Sequence, residues 1–391
     1  MSRDLKILAA SMFLWGFGEG LFLIFQPLYI QQLGADPIMI GTILGINGMV
    51  MTFSQIPSGL LADKIGRRQV LWFSFISGVI ATWSMALAPS LSFFVLGLFF
   101  YGLTSSVMAP LNTYVQAARG NWSVGRSISF ISAVYNAGAI LGPIIGGLIG
   151  SGLSLKAVYF VSAVVFTLST VVVIFVKKQP VEQNAGLDGE EHLLKNRRYI
   201  GLIVIIFMVM FAVTLPQPLA ANFLQNDRGL NLNQIGRLGS VGALGSVVLM
   251  LVLGRLPSGI AILTGQVGVL LFAILLWRGN NIVLYSLAYF FLGGYKLCRA
   301  MTVALVRPVV RAWEIGLAFG IVETLNALAM MLAPVVAGFL YDWQPVSIFQ
   351  VGVGVIVLSL LISAGFIWKN GYHFASPEDQ AVSEGEENDE A

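Results

Sequence analysis

Apolar residues in this chain come in blocks of roughly 20, and polar residues collect in the short gaps between the blocks. The blocks lie near 7–32, 38–60, 70–88, 91–117, 127–150 and 155–176, then near 198–222, 233–253, 259–277, 282–306, 315–339 and 345–368. Each is long enough for a helix to cross hydrocarbon, where backbone groups must find partners within the protein. Alternating period-two segments, which a barrel wall requires, are absent from the sequence. The pattern predicts an all-α integral membrane protein of twelve transmembrane helices.

Composition strengthens that picture. Hydrophobic residues make up 57% of the chain and charged residues 10%, against about 25% charged in an ordinary soluble domain. Mean hydropathy is +0.83. Arg3 and Lys6 precede the first block in the manner of a secretory leader, but the block continues to about residue 32 without a small-residue cleavage site, so it is read as a retained first helix. The single cysteine, Cys298, excludes an intrachain disulfide.

The chain divides near its middle. Residues 177–197 are polar and charged, reading as a cytoplasmic linker between a bundle over 1–176 and a second over 198–369. Residues 370–391 form an acidic tail whose composition predicts disorder. The halves repeat: Trp122-Ser123-Val124-Gly125 precedes a stripe of Gly138, Gly142, Pro143, Gly146 and Gly147, while Trp313-Glu314-Ile315-Gly316 precedes Ala329, Ala333, Pro334, Ala337 and Gly338 at the same offsets. Positive charge orients the helices. With the N-terminus inside, cytoplasmic segments hold Arg3, Lys6, Lys64, Arg67, Arg68, Lys177, Lys178, Arg197 and Arg198 among others, and the opposite side keeps Lys156, Arg228, Arg237 and Arg278. Both termini are therefore expected in the cytoplasm.

The segment Gly59-Leu60-Leu61-Ala62-Asp63-Lys64-Ile65-Gly66-Arg67-Arg68, between the second and third blocks, resembles the signature loop of the major facilitator superfamily. That resemblance implies two six-helix, pseudo-symmetric bundles that rock about a central site. It also implies a conformational gate at Gly59, Asp63, Gly66, Arg67 and Arg68, with Asp63 latching toward the start of the eleventh helix near Glu314. The corresponding stretch after the eighth helix, Leu253-Gly254-Arg255-Leu256-Pro257, has no acid. The stripe Gly138-x-x-x-Gly142-Pro143-x-x-Gly146-Gly147 resembles the antiporter motif of proton-driven exporters in the twelve-helix drug:proton branch of that superfamily. Small residues at this spacing let helices approach closely, and Gly236, Gly239, Gly242 and Gly245 of the eighth helix offer a packing partner. Those exporters usually carry an arginine in helix four where this chain has Leu98.

Ionisable groups in hydrocarbon are costly and mark function. Four fall inside blocks: Glu19, Lys296, Arg299 and Glu323. Counted from the cytoplasmic helix ends, Glu19 is about 18 Å deep, Lys296 about 15 Å, Arg299 about 10 Å and Glu323 about 12 Å. Glu19 and Lys296 are expected to face a shared aqueous site, and Arg299 to pair with Glu323. Burial disfavours a charged carboxyl, which makes Glu19 the candidate protonation site. Trp15, Gln26, Asn112, Tyr114, Gln116, Gln217, Asn222, Tyr289 and Tyr295 are the candidate substrate-cavity residues; amides with aromatic rings suit a small amphiphilic molecule and suit sugars too.

The expected activity is secondary active transport of a small organic molecule by alternating access, as proton-coupled efflux, by a monomer in the lipid bilayer of the cell (inner) membrane. A nutrient or sugar importer or uniporter of the same fold is the alternative, and a transport-inactive receptor or scaffold the alternative of another class. An enzyme is not expected: His192 and His373 lie in the linker and tail, and no His/Cys/Asp cluster suits a metal. No cofactor is implied, since no nucleotide-binding Gly-Lys-Ser/Thr loop occurs, and a net charge of +3 gives no reason to infer nucleic-acid binding.

Overall fold

A computed structural model describes residues 2–177, 197–306, 309–310 and 315–370; the side chains of 56–65, 108–109, 197–198, 303, 315–317 and 370 are outside the description. Nearly all of the described residues are helical. In chain order the helices are α1 (Arg3–Phe22), α2 (Gln26–Gln32), α3 (Pro37–Ile65), α4 (Arg67–Ala86), α5 (Leu91–Leu103), α6 (Met108–Ala118), α7 (Val124–Gly152) and α8 (Leu155–Ile174). They continue as α9 (Arg197–Thr214), α10 (Ala220–Asn226), α11 (Leu232–Leu253), α12 (Ser258–Arg278), α13 (Ile282–Leu292), α14 (Gly294–Val306), α15 (Ile315–Trp343) and α16 (Ser347–Asn370). Every apolar block is occupied by helix, and the protein is an all-α integral membrane fold.

Polar caps start the helices where the hydrophobic pattern begins. Ser2 Oγ accepts from the Leu5 amide at 3.1 Å, Asp36 Oδ1 from Met39 at 2.7 Å and Asn281 Oδ1 from Leu284 at 3.0 Å, each satisfying an N–H that the helix itself leaves unpaired. Asn231 and Gln234 cap α11 reciprocally, at 2.9 and 3.0 Å.

Several spans are built in two pieces. The block over 91–117 passes through a 3-10 turn, Thr104–Val107, and bends by 42° just after it, between Leu91–Val107 and Pro110–Ala118. There the Thr104 hydroxyl donates to the Tyr101 carbonyl at 2.6 Å and the Ser106 hydroxyl to the Leu103 carbonyl at 2.7 Å. Such local bonds compete with the helical ladder. The first span has a similar break at Leu23–Phe25, and the tenth breaks at Gly293.

The chain packs as two compact units: Met1–Gly186 with Leu219–Ser240, and Leu187–Pro218 with Val241–Ala391. The boundary thus falls inside α11. Of the linker and tail read from the sequence, all but Lys177, Arg197 and Asn370 lie outside the described residues.

In the first unit the core is aromatic. Trp15 sits 4.6 Å from Phe75 and 4.4 Å from Phe166, and Phe22 lies within 5.4 Å of both Tyr101 and Tyr159. Buried hydroxyls join helices where hydrocarbon supplies no partner: Ser11 with Ser169 at 3.1 Å, Ser74 with Ser106 at 2.7 Å, and Ser162 donating to the Gly18 carbonyl at 2.8 Å. In the second unit Gln266, fully buried, donates to Ser363 at 3.0 Å and accepts from Ser359 at 2.7 Å, tying α12 to α16. Large apolar side chains such as Phe53, Phe73, Leu251 and Leu361 point outward instead, as expected when the solvent is lipid.

The glycine stripe divides between two partners. Added Cβ atoms on Gly138 and Gly142 would lie 2.6 Å from the Phe17 amide nitrogen and the Gly20 carbonyl carbon, and one on Gly146 would meet the Leu21 carbonyl. These glycines therefore press α7 backbone to backbone against α1. Gly147 and Pro143 face the start of α11 instead, where Gly236 meets the Pro143 carbonyl and Gly239 lies against the Pro143 ring. The packing partner expected from the sequence, the eighth helix, thus takes only part of the stripe, since residues 138, 142 and 146 share one helical face and 143 and 147 the next. In α15 the equivalent stripe is Ala329, Ala333 and Ala337, all fully buried, and this helix packs on α9.

Candidate functional site

Glu19 lies in the last turn of α1, midway along the span Arg3–Gln32, and both of its carboxylate oxygens are engaged. The Tyr101 hydroxyl donates to Oε1 at 2.7 Å and the Tyr135 hydroxyl to Oε2 at 2.7 Å. Three helices meet here: α1 brings the acid, α5 brings Tyr101 and α7 brings Tyr135. The glycine crossing explains the last of these, because Gly16 on α1 rests on the Tyr135 carbonyl, one turn from Glu19. Tyr101 is placed by the kink that follows it and by Phe22, whose ring meets it edge-on at 5.4 Å. Leu98, one turn earlier on α5, is buried.

The two tyrosines were not among the residues singled out from the sequence. Their signals were weak ones: Tyr101 is the polar member of the run Phe99-Phe100-Tyr101-Gly102, and Tyr135 lies one turn before the glycine motif.

A second charged group occupies the other unit. Arg299 Nη2 lies 3.6 Å from Glu323 Oε2, with side chains 37% and 40% exposed. Arg299 Nη1 also reaches the Met330 sulfur at 3.8 Å, and the Asn326 amide nitrogen stands 3.5 Å from both Glu323 Oε1 and the Thr302 hydroxyl. Tyr295, on the same helix, faces Arg299 and Thr214. Lys296 is exposed on α14.

The remaining candidates sort by burial. Trp15 packs between Phe75 and Phe166, Tyr289 against Phe272 at 5.6 Å, and both are held by ring contacts in the protein interior. Tyr114 is fully buried and donates to the Lys177 carbonyl at 2.7 Å, with Asp4 Oδ2 3.4 Å from the same hydroxyl, tying helix ends together. Gln26 is buried with its Oε1 unpaired, and Asn222 is buried with its Nδ2 donating to Gln31 Oε1 at 2.6 Å and to the Pro27 carbonyl at 3.3 Å. Gln217 is half-buried and folds back on the Val213 carbonyl, while Asn112 and Gln116 are exposed. Trp15, Tyr114 and Tyr289 are thus each held by ring contacts or hydrogen bonds in the interior of their own unit.

At the loop, Gly66 adopts φ +100° between α3 and α4, a conformation that an L side chain rarely takes. Arg68 stacks its guanidinium 3.9 Å above the Trp72 ring, and Arg67 is half-buried. The side chain of Asp63 and the environment of Gly59 lie outside the described residues, as does Glu314.

Comparison with known proteins agrees with this architecture. The family model described as Major Facilitator Superfamily matches residues 8–257 and 202–386. Multidrug resistance protein MdtG of Escherichia coli (strain K12 / DH10B) is 27% identical over 293 residues, covering 70% of this chain and 71% of its own. Among solved structures, nucleoside transporter NupG superposes with a TM-score of 0.78 at 17% identity, covering 93% of this chain and 98% of its own. Peptide transporter POT in complex with sulfate gives 0.76 at 14% identity, with 95% of each chain covered.

Proposed function

The chain belongs to the major facilitator superfamily and is a membrane transporter of small molecules, and from that premise we propose that it exports a small amphiphilic organic compound in exchange for protons. The observation that carries this reading is Glu19, a carboxylate within a membrane span whose two oxygens are each held by a phenol. Ionisable side chains at such depth are costly enough to be retained for work. Support for efflux comes from the likeness to MdtG, named a multidrug resistance protein, at 27% identity.

In the proposed cycle Glu19 takes a proton from water on one side and returns it to water on the other. Protonation removes the charge that the phenols serve, and substrate binding and proton binding compete for the same carboxyl. Alternating access supplies the change of side. The gate residues Gly59, Asp63, Gly66, Arg67 and Arg68 would latch the cytoplasmic end, and Lys296, Arg299 and Glu323 would line the path in the second half. We place the protein in the inner membrane with both termini in the cytoplasm and protons as the coupling ion.

The test is transport in proteoliposomes across a panel of fluorescent amphiphiles, with and without an imposed pH gradient. Glu19→Gln keeps the shape of the side chain but cannot take up and release the proton, so it is expected to abolish gradient-driven movement. Undiminished gradient dependence in that variant would sink the reading. Leu98, where proton-driven exporters usually carry arginine, favours a second reading as a uniporter or importer; equal flux in both directions without a gradient would establish it.

A further inference from the structure

We infer that Tyr101 and Tyr135 are positioning residues that hold Glu19 in its ionised form, and that the Tyr101 bond is the one that opens when Glu19 takes a proton. This rests on the reading of Glu19 as the coupling carboxyl.

An ionised carboxylate only accepts hydrogen bonds, and a phenol has a single hydrogen to give. Two phenols at 2.7 Å, one on each oxygen, thus give an ionised Glu19 one donor for each oxygen, in the short range of charge-assisted bonds. A protonated Glu19 has an O–H of its own to place. The oxygen that bears it is a poor acceptor, so one phenol must turn its hydroxyl or move away.

The two phenols are not equivalent. Tyr135 sits on α7, whose backbone is locked to α1 by Gly16, Gly20, Gly138, Gly142 and Gly146. Glu19 and Tyr135 therefore move as one body. Tyr101 comes from α5, which reaches α1 through side chains, the hydroxyl against Glu19 and the ring against Phe22, just before the 3-10 turn at Thr104–Val107. The weaker tie is to α5. Protonation of Oε1 then ends the bond that Tyr101 donates and loosens the tie of α5 to α1, and loss of the proton restores it; the proton comes from water and leaves to water, and no covalent bond besides that O–H is made or broken.

Among the described residues, the titratable groups hydrogen-bonded to Glu19 from the packed elements of its unit are these two phenols. From α8, Tyr159 stands behind Tyr101 and beside Phe22, and the nearest polar contact that α8 makes with α1 here is Ser162 on the Gly18 carbonyl.

The experiment is infrared titration of the purified full-length protein in lipid. The protonated-carboxyl C=O band assigned to Glu19 is the one missing in Glu19→Gln. Each donor favours the charged form, so Tyr101→Phe and Tyr135→Phe, which delete one oxygen and keep the ring, are expected to let the band appear at higher pH, by about one pH unit or tenfold in proton affinity. The pH profile of gradient-driven transport should move in the same direction. Thermal unfolding of each variant reports folding, and either variant that folds decides the matter. A band midpoint unmoved, or moved to lower pH, overturns the inference. Because the titration requires no transport, its outcome is separate from that of Glu19→Gln in proteoliposomes: intact gradient coupling there defeats the functional reading, while the infrared result judges the clamp.

Discussion

An alanine at Gly138 tests the α1–α7 crossing directly. Its Cβ would point at the Phe13 carbonyl and lie 2.6 Å from the Phe17 amide nitrogen, where ordinary contact begins at 3.4 Å. The obstruction is backbone on both sides, so no side chain can swing away, and the helices must part by about 1 Å to restore van der Waals contact. Overpacking of this kind costs about 1–3 kcal/mol. Alanine returns up to ~1 kcal/mol through its better helix propensity, leaving a net loss of about 0–2 kcal/mol relative to the parent and about 1–3 kcal/mol relative to an unobstructed glycine-to-alanine change on the same helix. The same opening, one turn away, would stretch the 2.7 Å bond from Tyr135 to Glu19 beyond about 3.5 Å, where it ceases to be a hydrogen bond. Gly125 and Gly152 provide controls on the same helix, since a Cβ at either would meet nothing within 4 Å. Thermal unfolding in detergent should place Gly138→Ala a few °C below Gly125→Ala and Gly152→Ala. Equal midpoints for Gly138→Ala and Gly152→Ala would refute the backbone contact and with it the account of how Tyr135 is positioned.

Other consequences are as specific. Gly66→Ala should lose about 1–3 kcal/mol, because φ +100° is open to glycine and strained for alanine; an unchanged unfolding midpoint would contradict the turn geometry. Gln266→Leu, which strands the fully buried Ser359 hydroxyl and leaves Ser363 only its bond to the Ser359 carbonyl, should cost about 1–3 kcal/mol, and most of that loss should return when both serines are also made alanine, as a double-mutant comparison by chemical denaturation would register. Glu323→Gln should change stability by no more than about 1 kcal/mol, since the Arg299–Glu323 pair is loose at 3.6 Å and more than a third exposed. If it carries function, the variant's flux will fall while its unfolding midpoint stays; a large drop in midpoint would make the pair structural.

Much of the architecture was legible in the sequence because it depends on local sums. Whether a stretch of 20 residues prefers hydrocarbon follows from its own side chains, so the apolar blocks coincide with helices nearly end to end. Glu19 and the Arg299–Glu323 pair stood out for the same reason: a charge within an apolar block is conspicuous wherever the block goes. The breaks inside spans were harder to see. Thr104-Ser105-Ser106 looks like any mildly polar patch of a helix until its hydroxyls are found bonded to the carbonyls of Tyr101 and Leu103.

The partners of Glu19 could not be read at all, since Tyr101 and Tyr135 lie 82 and 116 residues away and resemble other tyrosines of the chain that only fill the core, such as Tyr159 and Tyr289. The glycine stripe was visible, but not the fact that one face meets α1 and the next meets α11. A glycine announces that something approaches closely; it does not say what. By itself the sequence determined membrane residence, the all-α class and the superfamily, properties set by composition, length and a contiguous motif. Only the tertiary structure decided which donors hold the carboxylate, because a hydrogen bond at 2.7 Å depends on how two distant helices cross, and that crossing is set by packing at residues which carry no chemistry of their own.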